Sequence, residues 1–287
     1  MTNVESRNGE PSAADPADAL ALRPRTTARY GWVRDLPDGR DHVYAAPRIA
    51  MAALPPRTDL RAHCPVVYDQ QKIGSCTANA IAGAFEFDLM KQKLADLMPS
   101  RLFIYYNERA MEGNVGNDSG AQIRDGVKSV AKLGVCPEKE WPYDGSPPDD
   151  NGNWAADDRA GQKPPGSCYA QALNHRATTY QRVPQSLDQM RGCLAAGYPF
   201  IFGFTVYDSF EGHQVATTGV VPMPQPGESV LGGHAVLAVG YDDATQCFTV
   251  RNSWGSGWGQ EGYFTMPYAY LADSGLASDF WTIRIVT

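Results

Sequence analysis

Three residues set in distinctive surroundings carry the chemistry of this chain. Cys76 ends the turn Gln70-Gln71-Lys72-Ile73-Gly74-Ser75 and opens a run in which Ile81, Phe85 and Leu89 recur every four residues. That spacing predicts a helix over 76–93 with the cysteine at its head. Unpaired amide N–H groups and the helix dipole favour negative charge there, so the thiolate, which is the nucleophilic form, is easier to reach. The alternative is a small buried cysteine without chemistry. His234 lies in Gly232-Gly233-His234-Ala235-Val236, and Asn252 in Val250-Arg251-Asn252-Ser253-Trp254-Gly255. A cysteine nucleophile needs a base, and the base needs a partner that fixes its tautomer; an amide oxygen accepting a ring N–H does that. The histidines at 42, 63, 175 and 213 have no comparable setting.

These residues must be positioned by the elements around them. A hairpin turning at Asp242-Asp243-Ala244 and centred on 243 sets residue 234 opposite 252, with a bulge as the feature that would shift the register. Further helices are expected from Pro99 through Tyr106, over 121–133 ending at Gly134, and over 187–196. Short strands are expected at 199–206, 219–222, 234–241, 247–252 and 262–266. Residues 144–166 are rich in Pro, Gly, Asp and Asn and read as a long surface loop. A helical half followed by a β-rich half makes an α+β protein of two layers, with a cleft between them as the natural place for a site.

With 287 residues, 43% hydrophobic and 20% charged, the chain has ordinary globular composition and enough length for one large domain or two modest ones. The net charge of −7 comes without any long basic run, which argues against nucleic acid or anionic lipid as a partner. No stretch approaches the roughly 18 apolar residues of a membrane span, and the first 30 residues lack the apolar core of a signal peptide. The expected location is cytoplasmic, unless an unusual export route exists. The six cysteines, at 64, 76, 136, 168, 193 and 247, form no CxxC pair and no dense array. We therefore expect no metal, no cofactor and no disulfide scaffold. Residues 1–23 have the makeup of a mobile terminus, whereas Tyr30 to Pro56 carries scattered anchors between turn formers and reads as an extended arm.

The order Cys, His, Asn, together with Gln70 six residues before Cys76, Gly233-His234-Ala235-Val236 and Asn252-Ser253-Trp254-Gly255-Ser256-Gly257-Trp258-Gly259, resembles the papain and cathepsin family of cysteine peptidases, and its bacterial members with a short N-terminal extension in particular. The resemblance spans about residues 58–283. It implies a two-lobed α+β fold: an extension over 1–55, then a peptidase domain over 56–287. That domain divides into a helical lobe (about 56–143), a loop (about 144–172) and an antiparallel, barrel-like β lobe (about 173–287). It also implies that Gln70 and the Cys76 backbone N–H form an oxyanion hole, that Trp254 covers the His and Asn pair, and that Ser119-Gly120 and Gly233 line the path of an extended peptide. Trp141-Pro142-Tyr143 has a family counterpart too. Asp279 is expected at the floor of the subsite two residues before the cleaved bond, where it would accept basic side chains.

The chain departs from the family at several positions. Ile73 and Asn117 stand where a bridging cysteine pair is usual, Ser274 replaces another cysteine, and Thr77 replaces the usual Trp after the nucleophile. The long helical prosegment is missing. The expectation is that residues 24–50, anchored by Trp32, Val33 and Tyr44, partly cover the active site. The expected function is peptide-bond hydrolysis, endopeptidase rather than exopeptidase, because the loop after Asp144 lacks the paired histidines that grip a substrate C-terminus. Acyl transfer by the same residues and a catalytically silent, covered peptide-binding relative are the alternatives.

Overall fold

The computed structural model describes residues 30–47, 51 and 53–287. The expectations for residues 1–23 and for part of the covering arm lie outside them. In chain order the strands are β1 (Trp32–Val33), β2 (Arg57–Asp59), β3 (Ala121–Gln122), β4 (Ala177–Arg182), β5 (Phe200–Tyr207), β6 (Val230–Asp242), β7 (Cys247–Arg251), β8 (Tyr263–Pro267) and β9 (Ala277–Val286). The helices are α1 (Cys76–Lys91), α2 (Arg101–Glu112), α3 (Ile123–Leu133), α4 (Gly166–Ala172), α5 (Leu187–Ala195), α6 (His213–Thr218) and α7 (Tyr268–Ala272).

Helix α1 is buried on every side from Cys76 to Leu89, Glu86 and Asp88 included, although the fourfold spacing of Ile81, Phe85 and Leu89 by itself marks only one apolar face. The helix packs against β6 and β9 on one side and α2 and α3 on the other, so no face is left for water. Its run of Ala78, Ala80, Ala82, Gly83 and Ala84 makes that close approach possible. A methyl group at Gly83 would touch the Arg251 and Leu237 side chains. Helix α2 has a working N-cap, with Ser100 Oγ accepting the Phe103 N–H at 3.1 Å, and ends on Gly113 at φ 75°. Helix α3 stops at Gly134, as its sequence predicts.

The second layer is an open antiparallel sheet in the order β4-β9-β5-β6-β7-β8, with β2 added beside β6. It is not a closed barrel. The expected strand at 219–222 is reduced to a single bridge between Val220 and Thr265. The β6–β7 hairpin forms, but its register differs from the expected one. Leu237 pairs with Arg251 and Ala238 with Val250, and an irregularity follows before Gly240 pairs with Thr249. The ladder therefore ends at Arg251, and Asn252 lies just beyond it. The main cause is the turn: Asp242 pairs with Cys247, so the hairpin is centred between Ala244 and Thr245 rather than on 243, and the inserted residue on β6 moves the pairs upstream of it only one position back toward the expected register. Between the helical layer and the sheet, β1 pairs in parallel with β3.

Candidate active site

Cys76 is the first residue of α1, and its sulfur has no exposure. Sγ accepts the Ala235 N–H at 3.4 Å, which fixes the end of β6 that carries His234 against the head of the helix. The turn before the cysteine is held from outside. Asp118 accepts the Gly74 N–H at 3.0 Å and also the Tyr105 hydroxyl, while the Tyr143 hydroxyl bonds Ser75 Oγ at 2.6 Å and the Gln70 carbonyl at 2.7 Å.

His234 Nε2 and Asn252 Oδ1 are 2.8 Å apart. The amide oxygen also accepts the Ser253 N–H at 2.8 Å, so it is fixed as the acceptor and Nε2 carries the ring proton. Nδ1 has no hydrogen-bond partner among the described residues and is the basic nitrogen of the ring. Trp254 stacks on the imidazole with ring centres 5.1 Å apart, and Phe204 meets it edge-on at 5.7 Å. Gln70 is buried. Its oxygen accepts the Ser253 hydroxyl at 2.6 Å and its nitrogen donates one N–H to the Ile73 carbonyl at 3.0 Å, which leaves the second N–H uncommitted.

The cleft is occupied by the chain itself. The Gly31 N–H lies close enough to the Cys76 sulfur to favour its thiolate, and the Gly31 carbonyl accepts the Ala121 N–H at 2.8 Å. Tyr30 lies edge-on to His234 with ring centres 5.8 Å apart, and its hydroxyl bonds Glu211. Trp32 enters a slot over Gly203 and Gly233, where its indole N–H donates to Asp279 Oδ2 at 3.1 Å. Of the other expected anchors, Val33 is exposed, and Tyr44 is buried beside the Arg284 guanidinium rather than in the cleft.

Burial has an electrostatic consequence opposite to the one expected from the helix dipole. It pushes the Cys76 thiol up to about 12 and His234 down to about 4, so under the arm both groups are neutral. The Ala235, Gly31 and Thr77 backbone N–H groups favour the thiolate but do not offset the missing water.

Ser119 and Gly120 lie beside Gly31. Ser119 Oγ donates to the Gly120 carbonyl at 3.0 Å, and a methyl group at Gly120, whose φ is +68°, would overlap the Gly31 carbonyl. Gly233 is bare against the Trp32 ring. Asp279 is buried at φ +60°, with Arg182 3.5 Å from its other oxygen. Thr77 donates to Glu108 Oε1 at 2.6 Å, so the position that departs from the family pattern serves a buried carboxyl. Residue-level reasoning missed Asp118, Ser253, Tyr105 and Glu211. Asp118 and Ser253 stand next to residues already singled out, and polar neighbours of a candidate site are the signal that marks them.

The profile of the family described as Papain family cysteine protease matches residues 54–282. The chain belongs to that family. An uncharacterized peptidase C1-like protein of Acanthamoeba polyphaga mimivirus is 45% identical over 228 residues, 76% of this chain and 70% of the viral one. Cathepsin L of Sarcophaga peregrina is 27% identical over 247 residues, and the chain covers 80% of itself but only 63% of that relative. Among solved structures, Xylellain, a cysteine protease from Xylella fastidiosa, superposes with a TM-score of 0.87 at 48% identity, over 93% of this chain and all of that one. Procathepsin L 3 of Tenebrio molitor, at 20% identity and a TM-score of 0.64, shares the fold. This papain-family cysteine protease thus has bacterial, viral and animal relatives.

Proposed function

We propose that the protein is an endopeptidase in which Cys76 is the nucleophile, His234 its base and Asn252 the partner that orients the base, and that residues 30–46 hold the cleft closed. One observation carries the reading: the imidazole commits Nε2 to Asn252 and keeps Nδ1 basic, on a strand whose next residue touches the Cys76 sulfur. With the cleft open, Nδ1 takes the thiol proton and the thiolate attacks the peptide carbonyl carbon. The Cys76 N–H and the free N–H of Gln70 hold the developing oxyanion. His234 then gives the proton to the leaving amine, and water, activated by the same nitrogen, hydrolyses the thioester. Ser119 and Gly120 offer their backbone to an extended substrate, an edge that takes a strand here as β1. No histidine in residues 144–172 is placed to grip a substrate C-terminus, which favours internal cleavage.

The direction of the arm suits a cover rather than a substrate. It runs parallel to β3 and presents an N–H, not a carbonyl carbon, to the sulfur. Gly31 is the residue it depends on, since a methyl group there would overlap the Gly74 carbonyl. Gly31→Ala in the full chain should therefore speed alkylation of Cys76 by iodoacetamide and switch on turnover of a fluorogenic peptide, both abolished by Cys76→Ala. A folded Gly31→Ala protein with unchanged alkylation would reject the closed cleft, and turnover surviving Cys76→Ala would reject the nucleophile. Rapid alkylation without turnover would favour the covered peptide-binding relative.

A further inference from the structure

The slot that receives Trp32 is built by two bare stretches of backbone and one carboxylate. On β5, any Cβ at Gly203 would fall inside the indole around Cε2 and Nε1; on β6, a Cβ at Gly233 would stand 2.6 Å from Cε3. The ring therefore lies directly on main chain, where only glycine leaves room for it. At the end of the slot Asp279 Oδ2 accepts the indole N–H at 3.1 Å and the Asp35 N–H at 2.8 Å. Asp279 itself is 1% exposed and sits at φ +60°, a conformation that a non-glycine residue rarely adopts and that surrounding structure must enforce.

We infer that the slot over Gly203 and Gly233 selects a tryptophan side chain of the substrate, with Asp279 as the acceptor of its indole N–H. The inference rests on the peptidase reading and names the residue class its substrates carry. When Trp32 and Asp35 withdraw, Oδ2 loses both donors and becomes a buried acceptor facing the open slot. A flat ring bearing one neutral N–H restores that bond, whereas a phenyl ring leaves the oxygen unpaired. A basic side chain, the expectation drawn from Asp279 alone, fits poorly. Arg182 lies 3.5 Å from Asp279 Oδ1 and loses its arm partner Asp41, 3.4 Å away, once the arm leaves. The carboxylate then already holds one cation, which repels a second.

The test uses the full chain with Gly31→Ala and peptides that differ only at the residue two before the cleaved bond: tryptophan, its benzothienyl isostere (sulfur in place of N–H), phenylalanine or arginine. Tryptophan should exceed the isostere at least about tenfold in kcat/KM, since sites built around a hydrogen-bonded N–H reject analogues without it. Asp279→Gly, which suits the positive φ, should bring that ratio to about one; Asp279→Ala, which also removes the acceptor, serves if the glycine variant does not fold. Equal turnover of tryptophan and isostere, or a preference for arginine, overturns the inference. If Cys76 is alkylated rapidly but no peptide is turned over, hydrolysis itself fails, and protection of Cys76 from iodoacetamide by the same peptides still ranks the side chains. In the chain that retains Gly31, Trp32→Phe should speed alkylation about tenfold, and an unchanged rate counts against the acceptor.

Discussion

His234 and Cys76 form a neutral pair under the arm, and that is a property of hydration rather than of their spacing. A thiol pushed up to about 12 by burial is nearly inert at neutral pH. In the unaltered chain the alkylation rate of Cys76 should keep rising with pH through the alkaline range. In Gly31→Ala, where water and a charged imidazole return, its midpoint should fall by more than one pH unit. Measuring iodoacetamide rates from pH 5 to 10 checks this. Gln70→Ala should lower kcat by about 100 to 1,000 fold while leaving alkylation of Cys76 nearly unchanged, because an oxyanion donor acts on the transition state and not on the free thiol. The residue types and local settings of Cys76, His234, Asn252 and Gln70 were legible because each stands in a short run whose chemistry is local. The neutrality of the pair was not, because it depends on Tyr30 and Gly31, more than 40 residues upstream of Cys76 in the sequence.

Helix α1 shows what a pattern of types leaves open at the scale of an element. Fourfold apolar spacing predicts the helix but not its neighbours, so Asp88 reads as a surface residue. In the fold it is enclosed, both oxygens lack hydrogen-bond partners among the described residues, and burial raises it to about 8. An acid whose folded value lies above its unfolded one, near 3.9, stabilises the fold fully below pH 4 and loses that contribution as pH rises toward 8. Asp88→Asn should match the unaltered protein in thermal midpoint at low pH and exceed it increasingly from pH 5 to 8, with the gap levelling off beyond. Calorimetry at pH 5 and pH 8 measures it. The hairpin carries a related lesson. Its two strands were legible from their apolar runs, but the turn spans Asp243 to Gln246 rather than Asp242 to Ala244, and this longer loop, together with an irregularity between Ala238 and Gly240, sets the pairing near the site. Strands β4 and β9 escaped detection because Ala177–Arg182 is largely polar and half-buried, while Ala277–Val286 is buried on both faces and does not alternate.

At the scale of the molecule, the arm is fastened by buried charge as well as by Trp32. Asp35 accepts the Trp281 indole N–H at 2.8 Å and the Arg124 backbone N–H at 3.1 Å, beside Asp279 and within the field of Arg124, Arg182, Asp41 and Glu112. Burial, then the Asp279 charge, raises Asp35 from 3.8 to about 6. Protonation therefore favours the docked arm: closure is tightest below about pH 4, weakens as pH rises through 6 and is constant above. This sign opposes release by acid. The ratio of Cys76 alkylation rates, Gly31→Ala over unaltered chain, should fall between pH 4 and 7, because a carboxyl that binds its proton more tightly under the docked arm stabilises closure only while it is protonated. Asp35→Asn should remove that dependence, and a ratio that rises with pH would contradict it.

The succession of a helical half and a β-rich half, a cysteine at a helix head and a histidine with an asparagine near the ends of two neighbouring strands follow from the sequence, since helix periodicity, glycine turns and side-chain chemistry act over a few residues. Tertiary structure alone decided which groups lose water. Hydration at Cys76, Asp88 and Asp35 is set by whatever chain segment packs over them, and those segments come from distant parts of the sequence. The same long-range packing laid Gly31 across the sulfur and the Trp32 ring on the bare backbone of Gly203 and Gly233.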